Sequence, residues 1–251
     1  YISAGFIIEE GFLIDDLKRI ADSMGEAARA CGVKIVTGDT KVVARGGADK
    51  LFINTTGIGF VPEGVEIGAQ RVTEGDAIIL SGTIGDHGAA VLTKRKGLDF
   101  KTTVESDSQP LNGLVKDMLA VCPDIHMLRD PTRGGLAATL TEIAASSKKG
   151  ILIDEKAIPV NESVRSICEI LGLDVLQIAN EGKLVAFVPE ESAEKVLDAM
   201  RNHKAGKDAA IIGRVSGKTG GVEPGVVEMK TAFIGNRLIE PPTGDMLPRI
   251  C

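Results

Sequence analysis

Short apolar runs alternating with amphipathic stretches, at uneven spacings, constrain this 251-residue chain more than any other feature. The clearest stretch is 13–31 (LIDDLKRIADSMGEAARAC). There Leu13, Leu17, Ile20, Met24, Ala27 and Ala28 recur every three or four residues and Gly32 follows, the pattern of a helix and its stop. Tyr1–Glu9 reads as a strand before it. Lys34–Val36 and 51–60 read as strands after it, giving a compact α/β unit. Further strands are expected at Ala77–Ser81, Ile125–Arg129, Ile151–Asp154, Leu184–Val188, about 209–215 and 225–230. Helices are expected at 86–96, 110–121, 134–147, 161–171 and 190–202. Few of these follow a regular strand–helix–strand spacing, so the reading is α+β: layers of a mixed sheet with helices on one face.

Aromatics make up only 3% of the residues, with no Trp and one Tyr, so the core must be built from Ala, Val, Ile and Leu. A net charge of −6 speaks against an extended nucleic-acid surface, which needs a basic face. No apolar run reaches the 18 residues of a membrane span. Cys31, Cys122, Cys168 and Cys251 form no CxxC pair, as expected of reduced thiols in a cytoplasmic protein. His87, His126 and His203 are scattered and offer no metal-ligand spacing.

The polar segment 69–75 marks a boundary. The expected organisation is 1–68, the remainder of an N-terminal domain; 69–235, a C-terminal α+β domain; and 236–251, a flexible tail. The tail holds three prolines and no periodicity, and fully extended it would reach roughly 50 Å. A strand in mid-course at Tyr1 leads us to expect further sequence upstream.

Five polar clusters could carry chemistry. Thr37-Gly38-Asp39-Thr40-Lys41 closes a strand with a carboxylate suited to Mg²⁺ and an ammonium suited to phosphate or proton transfer; the alternative is a surface turn. In Arg129-Asp130-Pro131-Thr132-Arg133-Gly134-Gly135 a strand runs into glycines and a helix start, where open N–H groups attract anions and Asp130 could hold a metal. The alternative there is a helix cap by Thr132. Asp86 in Gly85-Asp86-His87-Gly88 reads as an N-cap. Glu181 in Asn180-Glu181-Gly182-Lys183 follows an apolar run, and burial would raise its pKa and make it a plausible base. The last cluster is the terminal thiol, Cys251, a weak nucleophile until an electropositive pocket receives it; the alternative is a cysteine that is terminal by accident.

Taken together, GFIIEEG, TGDTKVV, DKLFINTTGIG, SGTIGDHGA, RDPTRGGLAA, NEGKL, GKDAAIIG and the PRIC terminus resemble the HypE family of nickel–iron hydrogenase maturation proteins, over the whole chain. That family is similar in fold to aminoimidazole ribonucleotide synthetase and selenophosphate synthetase, ATP-using two-domain proteins that dimerise through their N-terminal domains. The resemblance implies that the carbamoyltransferase HypF loads a carbamoyl group on Cys251. ATP and Mg²⁺ then drive its dehydration to a thiocyanate, and a HypC–HypD complex accepts the cyanide. It further implies that Lys41 and Glu181 line the thiocarboxamide pocket, that Asp39 and Asp130 hold Mg²⁺, and that Thr40, Asp86, Thr132, Arg133 and Gly134 contact nucleotide. The family's N-terminal portion carries a glycine-rich segment and further acidic nucleotide ligands absent from this sequence, so weak ATP binding and low activity are expected of it. Two other readings stay open: a carrier or docking fragment without catalysis, and another ATP-dependent synthetase of the same superfamily.

Overall fold

The structure is a computed structural model; it describes residues 1–95, 104–216, 221–233 and 235–242. Cys251, the PRIC terminus and most of the predicted tail lie outside the described residues. The chain divides into two compact units, Tyr1–Glu63 and Gly64–Cys251.

In the first unit, β1 (Ile2–Glu9) leads into helix α1 (Ile14–Ala30), then β2 (Ile35–Val43) and β3 (Leu51–Gly57). β1 is central, parallel to β2 and antiparallel to β3. A parallel neighbour requires a crossover, and α1 provides it. Asp15 and Asp16 sit at the positive end of this helix and Arg29 at the negative end. Gly32, with φ of +67°, then turns the chain out of the helix, as its place in the sequence predicts. Alternation along β1 buries Ala4 and Ile8 on one side and leaves Ile7 exposed on the other.

β2 differs from expectation. It does not end at Val36 but runs through Thr37–Lys41 to Val43. Gly-Asp reads locally as a turn, yet β1 pairs with this segment residue by residue. Gly38 serves close approach here: a β-carbon on it would lie 2.1 Å from the Ala4 carbonyl oxygen.

The second unit is built on seven strands in the order β10-β9-β6-β8-β4-β7-β5. They are β4 (Ala77–Leu80), β5 (Met127–Arg129), β6 (Gly150–Asp154), β7 (Val185–Val188), β8 (Ala210–Ser216), β9 (Val227–Lys230) and β10 (Asn236–Ile239). Only β6 and β9 pair in parallel, so the sheet is mixed, as expected of the α+β class. The helices are α2 (Asp86–Arg95), α3 (Asn112–Val121), α4 (Gly135–Ser147), α5 (Glu162–Leu171) and α6 (Ala193–Asn202).

Helices cover both faces of this sheet, where the sequence suggested one. Ile78, Leu80, Val185 and Phe187 pack with Leu136, Leu140 and Ile143 of α4. The alternate residues Ile79, Ala186 and Val188 pack with Leu114 and Met118 of α3 and Val196, Leu197 and Met200 of α6. Runs apolar at every position, as in β4 and β7, are what a strand buried on both faces requires. A third cluster, containing Ala89, Val164, Ile167, Cys168 and Ile178, ties α2 to α5. β10 is the second departure. Asn236–Ile239, read as the start of the tail, pairs antiparallel with β9 and buries Ile239. Among the described residues no helix is long and apolar enough to cross a membrane, and no disulfide joins Cys31, Cys122 and Cys168.

Candidate active site

The residues singled out in the first unit lie on β2. Asp39 pairs with Gly5 and Lys41 with Ile7, so the two share one face of the sheet. Thr40 pairs with Phe6 on the opposite face, the side of the buried Ala4 and Ile8. All three residues are exposed. One oxygen of Asp39 accepts the Thr40 N–H at 2.8 Å.

In the second unit, three of the polar clusters meet at one side chain. Asn180 is 1% exposed. Its Oδ1 accepts the N–H of Gly85, at the start of α2, at 2.8 Å. Its Nδ2 donates to the carbonyl of Pro131, ahead of α4, at 2.8 Å and to that of Ile178 at 3.1 Å. One amide thereby fixes the loops 81–86, 129–135 and 178–183 to one another, at the ends of β4, β5 and β7. Ser81 adds a second link: its hydroxyl accepts the Leu184 N–H at 3.0 Å.

Asp86 opens α2 and is buried. Thr83 donates to one of its oxygens and Asn161 to the other, so the carboxylate braces the start of α2 against the segment preceding α5. Asp130 is exposed, with the Arg129 Nε 3.9 Å away. Thr132 does not cap α4. The cap residue is Gly134, with φ of +71° and no side-chain bond. The helix begins too late for the Thr132 hydroxyl to act as its cap, and the Thr132 carbonyl instead accepts the Gly135 N–H at 2.9 Å. Arg133 is exposed beside it.

Glu181 is half-buried, and its backbone N–H donates to Oδ1 of Asp107 at 3.0 Å. The other oxygen of Asp107 lies 3.4 Å from Nζ of Lys183, and both side chains are under 10% exposed. Gln109 donates to the Gly182 carbonyl at 3.0 Å, and Ser106 bonds His87 at 2.8 Å. Sequence reasoning missed Ser106, Asp107, Gln109 and the ion pair of Lys183. The signal was the polar run Glu105–Gln109 just ahead of the apolar helix α3.

Hard carboxylate oxygens at Asp39 and Asp130 suit Mg²⁺. No group of three or more potential metal ligands gathers among the described residues. A Mg²⁺ at either carboxylate would need the oxygens of a bound phosphate to complete its shell, which is how Mg²⁺ is commonly held. The start of α4, with glycines and no side-chain cap, has the chemistry of an anion cradle. A groove of about 620 Å³ lined by Arg165, Cys168, Asp174 and Arg237 includes none of the predicted residues. Burial there pushes the Cys168 thiol pKa up, away from a reactive thiolate.

Two family models match the chain: AIR synthase related protein, N-terminal domain, over residues 1–61, and its C-terminal domain over 73–223. The carbamoyl dehydratase HypE of Azotobacter vinelandii is 53% identical over 251 residues, covering 100% of this chain and 72% of that protein. The chain belongs to the HypE family. The resemblance carried by the motifs is thus borne out over the full length, as is the two-domain α+β architecture. The crystal structure of HypE in complex with ATP is 51% identical, with a TM-score of 0.95, and covers 100% of this chain and 75% of that one. A HypE–HypF complex is 48% identical, with a TM-score of 0.91, and covers 96% of this chain and 77% of that one. Relatives in the HypE family carry an enzyme's name, carbamoyl dehydratase, which agrees with the enzymatic reading of the sequence.

Proposed function

We propose that this chain dehydrates a carbamoyl group carried on the Cys251 thiol to a thiocyanate, with Glu181 and Lys41 serving the proton transfers. The observation that carries the proposal is the placement of Glu181. It is half-buried, next to Asn180, which joins three loops, in a chain whose relatives are carbamoyl dehydratases. An amide oxygen is a poor leaving group, and ATP supplies the phosphoryl group that makes it a good one. The thiocarboxamide then loses that oxygen as phosphate and two N–H protons, and the carbon–nitrogen bond becomes triple. Both protons need acceptors within hydrogen-bond reach. Glu181 is the proposed acceptor of one, the departing phosphate carries away the other, and Lys41 assists deprotonation. A half-buried position limits the water that would otherwise hydrolyse an activated intermediate.

Asp39 and Asp130 are the proposed Mg²⁺ ligands. Gly134 at the start of α4, with Thr132 and Arg133 ahead of it, is the proposed phosphate contact, and Thr40 and Asp86 belong to the nucleotide's surroundings. The ATP complex of a relative at 51% identity supports a nucleotide site in this fold. A relative's complex with HypF supports HypF as the carbamoyl donor. As the family resemblance implies, the proposed acceptor of the cyanide, for the hydrogenase iron, is a HypC–HypD complex. We further propose a homodimer formed through the first units, working in the cytoplasm.

The test is mass spectrometry of Cys251 after incubation with ATP, HypF and a carbamoyl source. Loss of one water from the carbamoylated thiol is the expected result, and Glu181→Gln should abolish it. Full-rate cyanation by the Glu181→Gln protein would remove Glu181 from the mechanism.

A further inference from the structure

We infer that Asp107 is a positioning residue for Glu181: its carboxylate fixes the backbone from which the base projects. The inference rests on Glu181 being the base. Asp107 lies in the segment 104–111, which grips residues 181–183 at three points. Oδ1 of Asp107 accepts the Glu181 N–H at 3.0 Å. Oδ2 lies 3.4 Å from the Lys183 ammonium and has no hydrogen-bond partner among the described residues. Gln109 binds the Gly182 carbonyl between them. The fit is close enough that a β-carbon on Gly182 would lie 1.8 Å from the Asp107 carbonyl oxygen, so only glycine allows the two backbones to meet. The segment is tethered in turn to α2, through Ser106 and His87.

The geometry matters because a general base must meet its proton within a few tenths of an ångström, and a small misplacement can cost about a hundredfold in rate. Glutamate has a flexible side chain, so its direction is set first by its backbone. A buried ion pair contributes little net stability compared with an apolar pair of similar volume. The distinct effect of Lys183 is therefore geometric. Held at one oxygen by the ammonium, the Asp107 carboxylate presents the other to Glu181.

The experiment separates this role from plain support of the fold. Two double variants of the full chain both lack the ion pair: D107N/K183M, which keeps a side-chain oxygen for the Glu181 N–H, and D107A/K183M, which does not. Dehydration of carbamoylated Cys251 is followed below the unfolding midpoint of both, with E181Q alongside. D107A/K183M should lose about tenfold or more in kcat relative to D107N/K183M, with the KM for ATP unchanged. Should D107A/K183M fail to fold, D107S/K183M, whose hydroxyl is too short to reach the Glu181 N–H, replaces it with the same expectation. Equal kcat values for the acceptor and no-acceptor doubles, with E181Q inactive, would overturn the role of Asp107 alone. E181Q at the wild-type rate would instead overturn the reading of Glu181, and this inference with it.

Discussion

Replacing Asn180 by alanine tests whether one buried amide holds the second unit's loops in register. Three side-chain hydrogen bonds vanish, to the Gly85 N–H and to the Pro131 and Ile178 carbonyls. Each contributes a net of about 1 kcal/mol, and a buried donor left without a partner costs about 1–3 kcal/mol more. Gly85 is such a donor, since it is buried and Asn180 is its partner. Pro131 is less affected, because its carbonyl also accepts the Asn180 backbone N–H at 3.3 Å. The expected loss is thus about 3–5 kcal/mol, a fall of roughly 10 °C in midpoint for a unit of this size.

Urea unfolding followed by far-UV circular dichroism is the suitable assay, because the chain has no Trp and its one Tyr is Tyr1. Asn180→Asp refines the test. Its carboxylate still accepts from Gly85 but turns an acceptor toward two carbonyls, so the protonated form is favoured in the fold. A group whose folded pKa is raised contributes stability below its unfolded value and loses it as pH rises. Asn180→Asp should therefore gain on Asn180→Ala as the pH is lowered from about 7 to about 5. A loss below about 1 kcal/mol for Asn180→Ala, or a gap between the variants that ignores pH, would refute the reasoning.

Two further outcomes follow from the first unit. Gly38→Ala places a β-carbon 2.1 Å from the Ala4 carbonyl oxygen, so the strands must part; hydrogen exchange along β1 and β2 should accelerate, with a stability loss of about 1–3 kcal/mol. Glu9 accepts the backbone N–H groups of Gly46 and Lys50, and these hold its carboxyl below the ordinary value of 4.5. A depressed folded pKa gives stability that is present above the unfolded value and lost as pH falls through the folded one. The stability difference between wild type and Glu9→Gln, read by urea unfolding, should accordingly be flat from about pH 6 to 8 and shrink below about pH 4.5.

Much of the fold was legible because its signals are local. The period of α1, the glycine that ends it and the unbroken apolar runs of β4 and β7 each lie within one short window. What escaped was set by distant partners. Thr37–Lys41 has the composition of a turn and becomes strand because β1 supplies its hydrogen bonds. Asn236–Ile239 has the company of a tail and becomes strand because β9 lies beside it. The site shows the same division. Glu181 stood out through its local context, while its partner Asp107 is 74 residues away and the Asn180–Gly85 bond spans 95. Neither separation leaves a trace in spacing or periodicity.

The polar residues of the motifs, and Asp107 beside them, sort by where their hydrogen-bonding capacity goes. Asn180, Asp86, Asp107 and Lys183 direct theirs inward, to other loops of the same unit. Asp39, Lys41 and Asp130 remain exposed, as their proposed role as ligand contacts requires. A motif shared along a family need not be a list of contacts to substrate. Here the inward group is a frame that joins loops of the second unit to one another. Asp86 illustrates the point: its two oxygens are engaged by Thr83 and Asn161, so the carboxylate braces the start of α2 against the segment preceding α5.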